Sequence, residues 1–193
     1  DLSAELPAPR WPFLAYLAER KPVLLHGSGD PAIAELVPRQ SNDVEEFGNR
    51  RAVYAASDGI WPLFFAIVDR SHKPTSLLNA CFRVATPAGD EHGPFYFFSL
   101  NRDVRQREPW REGMVYILPR AGFEPKPARQ QDDSTVQIME WASPEAVAPL
   151  AKISVGPADF PFLAEIRGHD LDELMRRVEA DPAGFPWLAE DEI

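Results

Sequence analysis

Proline constrains this chain more than any other residue type, because 20 of its 193 residues are prolines. This is about twice the roughly 5% share of an ordinary protein. Proline fixes φ near −65° and lacks a backbone N–H group, so it ends helices and avoids central strands. We therefore predict many short helices and strands with abrupt ends, rather than a bundle of long helices.

Length and charge narrow the class of protein further. A chain of 193 residues with 45% hydrophobic content predicts a single folded domain over residues 1–193. Its formal net charge of −10 repels nucleic acid and lowers the expectation of nucleic-acid binding, although a local basic patch could still bind it.

Cysteine content and apolar runs bear on the compartment. Cys81 is the only cysteine, so an internal disulfide and a paired-cysteine metal site are excluded, and we expect a small core residue there. No apolar run approaches the roughly 20 residues of a membrane span, and the first residues do not resemble a secretion signal. The simplest expectation is a cytoplasmic protein with no membrane partner.

Apolar patterning predicts an α+β domain with an antiparallel-rich sheet, because the βαβα alternation of a doubly wound fold is missing. We expect an N-terminal helix at residues 11–20, a core over about 22–160 and a C-terminal helix at 170–180. A further helix at 61–68 is expected to be capped by Ser57 or Asp58. Strands are predicted at residues 22–26, 51–56, 77–86, 94–100, 114–118, 135–142 and 150–155, with a long surface loop at 119–131.

The predicted strand 22–26 ends in His26, which is followed by Gly27. An imidazole at a strand end could bond a ligand hydroxyl, and the Gly27 backbone would be unobstructed by a side chain. A histidine satisfied by a neighbouring loop is the commoner situation when His26 is considered alone. On the next strand, Tyr54 could offer its ring to a planar ligand or be an ordinary core tyrosine.

Glu140 lies near the end of the predicted strand 135–142. Alternation of side chains places Val136, Ile138 and Glu140 on one face of a continuous strand. A carboxylate in line with two apolar residues would be partly desolvated and would need a polar partner. The alternative is that the strand ends one residue early and leaves Glu140 in solvent.

Several common chemistries are not indicated. The chain lacks the GxGxxG, GxxxxGK[ST] and GxSxG motifs of dinucleotide sites, P-loops and serine hydrolases. The four histidines, at positions 26, 72, 92 and 169, have no metal-ligand spacing, so we expect no metal site.

In their order along the chain, three segments resemble the ADP-ribosyltransferase superfamily in its His-Tyr-Glu branch, which includes diphtheria toxin and the poly-ADP-ribose polymerases. The matching segments are Leu24-Leu25-His26-Gly27-Ser28, Ala52-Val53-Tyr54-Ala55 and Glu140-Trp141, followed by the strand residues 147–155. The resemblance implies a split antiparallel β-sheet core with short flanking helices. It also implies NAD as a substrate, whose nicotinamide–ribose bond is cleaved.

The resemblance assigns a role to each matching residue. His26 would bond a hydroxyl of the nicotinamide-side ribose, Tyr54 would stack on nicotinamide, and Glu140 would stabilise the oxocarbenium-like transition state. The implied catalytic residues are Glu140, His26 and Tyr54, and the implied NAD-binding residues are His26, Gly27, Ser28, Tyr54 and Phe65, with Phe64 as the alternative second stacking wall. Arg39, Arg50 or Arg51 would meet the pyrophosphate.

Two departures from the family pattern leave the acceptor open. Pro62 falls roughly where polymerase-type members carry a serine that bonds the carboxamide. Ile138 stands where arginine-specific members carry a glutamate or glutamine, which disfavours arginine modification. The acceptor could therefore be a protein, a nucleic acid or water.

Two other functions remain open on the same fold. One is a catalytically inactive module that binds NAD or a protein partner. The other is an RNA 2′-phosphotransferase-like enzyme, which would need a basic patch; the candidate residues are Arg39, Arg50, Arg51 and Arg83.

Overall fold

The computed structural model of the protein describes residues 1–41, 43, 45–71, 75–182 and 184–188. The helices of this part are α1 (Trp11–Arg20), α2 (Trp61–Ile67), α3 (Arg102–Arg105) and α4 (Leu171–Ala180). The strands are β1 (Val23–Ser28), β2 (Arg39–Gln40), β3 (Arg51–Ala56), β4 (Leu77–Ala85), β5 (Glu91–Asn101), β6 (Gly113–Pro119), β7 (Glu124–Pro125), β8 (Arg129–Gln131), β9 (Ser134–Ile138), β10 (Glu140–Ser143), β11 (Ala151–Val155) and β12 (Arg167–His169).

The strands form two sheets. The first has the order β11-β6-β1-β3-β10-β7, with β2 also paired to β3, and all its recorded pairs are antiparallel. The second has the order β12-β5-β4-β9-β8, and only its β12–β5 pair is parallel. The predicted α+β class with an antiparallel-rich sheet is therefore confirmed.

The helices predicted from the sequence agree closely with the structure. The N-terminal helix has the expected bounds, the helix predicted at 61–68 ends one residue earlier, and α4 begins one residue after Asp170. The Asp170 carboxylate accepts a bond from the Glu173 N–H group at 2.9 Å, which caps α4. In the described part of the chain, no helix combines the length and the apolar character that crossing a bilayer requires.

The single strand predicted at residues 135–142 is wrong. Its residues form β9 in the second sheet and β10 in the first, with Met139 between them. The Met139 N–H group donates to the Cys81 carbonyl of β4 at 2.9 Å, and its carbonyl accepts from Ser57, next to β3, at 3.0 Å. Because the chain changes sheets here, Ile138 and Glu140 do not share one sheet face.

The predicted first strand is too short. Strand β1 continues through Gly27 and Ser28 because it pairs with β6 along its whole length, from Val23 opposite Pro119 to Ser28 opposite Met114. His26 therefore lies inside a strand and not at its end, and Gly27 and Ser28 are the last two residues of that strand. The loop predicted at 119–131 likewise contains two short strands, β7 and β8.

Helix α2 packs directly on the backbone of β1. A Cβ atom added at Gly27 would lie 2.8 Å from the Pro62 carbonyl carbon and closer still to its oxygen. The absence of a side chain at Gly27 thus allows the helix to approach the sheet. Around this contact lies a large apolar core, which includes the fully buried Leu25, Phe64 and Cys81.

Asp58 fastens the start of α2 and links it to the second sheet. Its buried carboxylate, with the residue 7% exposed, accepts bonds from the N–H groups of Ile60 and Trp61 at 2.8 and 2.7 Å. Its other oxygen accepts from the Tyr96 hydroxyl at 2.7 Å. Of the two predicted caps, Asp58 and not Ser57 bonds the helix N–H groups.

Replacing Asp58 with asparagine should lower the free energy of unfolding by about 1–2 kcal/mol. The amide keeps one oxygen for the helix N–H groups, whereas its NH₂ group cannot accept the Tyr96 hydroxyl. Urea unfolding followed by tryptophan fluorescence measures the change. Asp90→Asn, at an exposed position in the loop after β4, is the matched control. Equal stability of the two variants would contradict the role of Asp58.

Candidate functional site

The first sheet brings three predicted site residues onto neighbouring strands. Leu25 of β1 pairs with Ala56 of β3, and Ala56 pairs on its other side with Glu140 of β10. Strands in a sheet lie about 4.8 Å apart, so β1 and β10 flank β3 at about 10 Å from each other. His26 and Tyr54 lie within two residues of this row.

His26 bridges the gap where β1 and β3 separate. Within the described strands, the pair Leu25–Ala56 is the only one recorded between β1 and β3. Beyond it, the Nδ1 atom of His26 bonds the Tyr54 carbonyl at 2.7 Å. A carbonyl oxygen can only accept, so Nδ1 carries the proton in this bond. The imidazole thus occupies the place of a strand-to-strand backbone bond.

The environment of His26 favours the neutral ring. Burial lowers the pKa of His26, the bond to the Tyr54 carbonyl opposes this, and the charges of Arg70 and Arg39 lower it further. A neutral imidazole with its proton on Nδ1 has an acceptor at Nε2. Nε2 of His26 can therefore accept a hydrogen bond from a hydroxyl group, whereas an imidazole that donates to the hydroxyl was expected from the sequence.

The Tyr54 hydroxyl fixes the turn that precedes β3. It accepts from the Arg50 N–H group at 2.8 Å and lies 2.9 Å from the Phe47 carbonyl, to which it can donate. Burial raises the pKa of the Tyr54 phenol, and the negative charge of Glu140 adds to this rise. The Tyr54 hydroxyl therefore already has backbone partners.

Glu140 is a half-buried carboxylate with a cation beside it. Its side chain is 17% exposed, and Oε2 lies 3.4 Å from Nζ of Lys126, which also contacts the Glu45 carboxylate. Burial raises the pKa of Glu140, Lys126 opposes the rise, and the negative charges of Asp43 and Glu45 support it. The solvated position considered as an alternative is therefore wrong.

Lys126 is a site residue that sequence reasoning missed. Its N–H group donates to the Glu140 carbonyl at 2.8 Å, which continues the pairing of β7 with β10 by one residue. Burial disfavours its charge, but the hydrogen bond to Glu45 and the charge of Glu140 outweigh this and raise the pKa of Lys126. Its position among prolines in an expected surface loop carried no signal of such a contact.

The remaining predicted NAD-binding residues, Gly27, Ser28 and Phe65, mainly contact other parts of the protein. The side-chain position of Gly27 is covered by α2, as described above. The Ser28 hydroxyl accepts from the Asp30 N–H group at 3.1 Å in a local turn. Phe65 is half-buried on α2, with its ring centroid 5.8 Å from that of Phe64 and 6.3 Å from that of Trp61.

Three arginines create a positive field beside the end of β1. Arg39 and Arg70 are near enough to His26 to disfavour its protonation, and Arg111 adds to burial in lowering the pKa of Arg70. The Arg111 guanidinium lies against the Gly29 backbone, and its buried Nε has no hydrogen-bond partner among the described residues. Asp69, at 3.9 Å, offsets part of this charge.

The four arginines considered for a basic patch do not gather beside His26. Arg50 pairs with Glu124 at 3.5 Å, and Arg83 lies in the second sheet, where it pairs with Glu91 at 3.2 Å. Arg51 is exposed. Of these four residues, only Arg39 lowers the pKa of His26. Arg70, which is not one of the four, also lowers it. Neither Arg70 nor Arg111 stands in a recognisable motif, so sequence patterns do not single them out.

His92 and His169 lie apart from this site. His169 is buried beside the Ser99 hydroxyl at 2.8 Å, and His92 is exposed on β5. His72 lies outside the described residues. Within the described ranges, no group of three or more histidine, cysteine, aspartate or glutamate side chains is arranged to hold a metal ion.

Comparisons of the chain with protein-family models, with curated proteins and with solved structures gave no match. The site combines a neutral histidine in a strand gap, a half-buried carboxylate and a cluster of arginines on an α+β fold.

Proposed function

We propose that the protein binds NAD at the gap between β1 and β3 and cleaves its nicotinamide–ribose bond, on an ADP-ribosyltransferase-like fold. The C–N bond to nicotinamide breaks, and nicotinamide leaves as a neutral molecule with the bonding electron pair. An oxygen of water or of an acceptor then bonds the ribose carbon and releases one proton. With water, the products are nicotinamide and ADP-ribose.

One observation carries this proposal: β1, β3 and β10, which lie side by side in the first sheet, carry His26, Tyr54 and Glu140. His26 is bonded to the Tyr54 carbonyl, and the negative charge of Glu140 contributes to the raised pKa of the Tyr54 phenol.

Each group has a role suited to its surroundings. The half-buried Glu140 carboxylate would stabilise the positive charge that develops on the ribose as nicotinamide leaves, because few waters compete with it. The Nε2 acceptor of His26 would hold a ribose hydroxyl. The field of Arg39, Arg70 and Arg111 would attract the pyrophosphate.

The acceptor stays open under this proposal. Ile138 belongs to β9 of the second sheet, so it offers no polar group beside Glu140 to engage an acceptor. Water, a protein side chain or a nucleic acid are each compatible with the site. The cytoplasmic location expected from the sequence also stays a prediction.

The proposal is tested by two measurements on the intact chain. Titration with NAD, followed by calorimetry, should give saturable binding at millimolar concentrations or below. Nicotinamide should then be released in proportion to protein concentration, with and without added protein or RNA acceptors. Absence of binding at millimolar NAD would overturn the proposal, whereas binding without release would favour the inactive binding module.

The arginine cluster favours one second candidate, an RNA 2′-phosphotransferase-like activity. Arg39 and Arg70 act on the neutral His26, and Arg111 acts on Arg70, so this cluster suits a ligand with more than one phosphate group, despite the net charge of −10. Incubation of an RNA oligonucleotide carrying one internal 2′-phosphate with the protein and NAD distinguishes this activity from NAD cleavage alone. Loss of that phosphate only in the presence of NAD would support the second candidate.

The acid limb of the nicotinamide-release profile should reflect Glu140. Since burial raises its pKa above the ordinary 4.5, the carboxylate form is lost as pH falls through that raised value. The Lys126→Met change removes the cation that opposes the rise. We therefore expect the acid limb of kcat/KM to move to higher pH in this variant.

The control for this profile is Lys21→Met, which removes an exposed lysine after α1. Its acid limb should coincide with that of the wild type. An acid limb that stays in place, or moves to lower pH, in Lys126→Met would show that Glu140 does not govern this part of the profile.

A further inference from the structure

A cavity of about 520 Å³ is lined by residues of both sheets, among them the two chain neighbours of Glu140. Its walls include Trp141 of β10, Arg120 after β6, Arg83 of β4 and Met139 at the crossing between the sheets. None of His26, Tyr54 and Glu140 lines it. Its volume falls within the roughly 300–1,000 Å³ typical of small-molecule sites.

Arg120 is the most unusual group in this cavity. Its guanidinium carbon lies 5.2 Å from the centroid of the Trp141 ring, a cation–π contact that orients the side chain. Its backbone is fixed by a bond to the Pro22 carbonyl at 3.1 Å. The buried Nε atom has no hydrogen-bond partner, and Arg120 makes no ion pair with any described residue.

The other walls supply apolar surface and a second cation. Met139 and Ile138 offer apolar side chains, and Arg83 stands on the facing sheet. Arg83 already pairs with Glu91 at 3.2 Å, and Glu19 also lies on the cavity wall. A ligand would therefore find its uncompensated positive group at Arg120, with Trp141 and Met139 beside it.

We propose that this cavity binds a small organic anion, with a carboxylate or phosphate group bonded to Arg120 and a flat apolar body against Trp141 and Met139. A guanidinium matches a planar or tetrahedral oxyanion with paired N–H groups, and Arg120 makes no ion pair with a described carboxylate that would compete for them. The site is distinct from the proposed NAD site and does not depend on it.

The location explains how the two sites stay separate. Trp141 and Glu140 are consecutive in β10, so their side chains leave opposite faces of the sheet. Trp141 lines the cavity, whereas Glu140, one residue earlier, does not and pairs with Ala56 of β3. A ligand in the cavity would contact Trp141 without reaching the Glu140 carboxylate.

Calorimetric titration of the full chain with benzoate, phenyl phosphate and neutral benzyl alcohol tests the proposal. We expect saturable binding of at least one anion and none of benzyl alcohol at concentrations up to about 10 mM. The tighter of the two anions identifies the preferred source, carboxylate or phosphate. No binding of either anion, or equal binding of the alcohol, would overturn the proposal.

Arg120→Gln should weaken anion binding by about tenfold or more. The matched control Arg20→Gln removes an exposed arginine at the end of α1 and should bind as the wild type does. If Arg120→Gln fails to fold, Ala128→Trp provides the test instead. This variant fills the cavity from an exposed wall position and should also weaken anion binding. Unchanged binding in the variant that folds would overturn the proposal.

The Glu140→Gln variant distinguishes this site from the NAD site. It should bind the anions with unchanged affinity because its carboxylate does not line the cavity. A loss of anion binding in Glu140→Gln would place the anions in the NAD site instead and overturn the proposal of a separate cavity site.

Discussion

Nicotinamide release from NAD should fall by about 100- to 1,000-fold when Glu140 is replaced with glutamine. The amide has almost the same shape as the carboxylate but carries no charge to stabilise the positive ribose. Because Glu140 is half-buried, solvent cannot restore this stabilisation. The effect should fall on kcat, since the charge develops only as the bond breaks.

Two controls separate a catalytic loss from a structural one. Glu145→Gln changes an exposed glutamate just after β10 and should leave the rate unchanged. NAD binding to Glu140→Gln, measured by calorimetry, should remain within a few-fold of the wild type. A Glu140→Gln variant that releases nicotinamide at the wild-type rate would exclude the proposed role of this carboxylate.

Replacing Gly27 with alanine should destabilise the protein by about 3 kcal/mol or more, the upper range for an overpacked core. The added methyl group would overlap the Pro62 carbonyl and press on the backbone of α2 near Ala66. Backbone atoms cannot move aside as a flexible side chain can, so the helix must lift from β1. Urea unfolding followed by circular dichroism measures the loss.

Gly168→Ala is the matched control for this substitution. It adds the same methyl group in strand β12, where the nearest atom, on Arg102, would lie 3.3 Å away. We expect this variant to lose much less stability than Gly27→Ala. A stable Gly27→Ala variant would mean that α2 does not pack on β1 as closely as described.

Local patterns predicted most elements of the fold because their causes are local. The bounds of α1 and β3 follow from prolines, charges and apolar residues near each end. The error at residues 135–142 has a long-range cause. Met139 bonds Cys81 on one side and Ser57 on the other, and no alternation of residue types reveals that a chain changes sheets.

The same distinction between local and long-range causes applies to the residues of the site. His26, Tyr54 and Glu140 were chosen because each stands in or beside an apolar segment, and the sheet order brings their strands together. Lys126 and Arg111 were missed, since each approaches the site from a segment far along the chain. Their positions depend on the pairing of β7 and on the contact with Gly29, which exist only in the folded chain.

The crossing of the chain at Met139 links Glu140 mechanically to both halves of the protein. Met139 is hydrogen-bonded to both sheets and precedes Glu140 by one residue. A twist of one sheet against the other would therefore act on the peptide bond that holds this glutamate. Glu140 and Lys126 both belong to the first sheet, so their ion pair stays within one layer while Met139 ties that layer to the second.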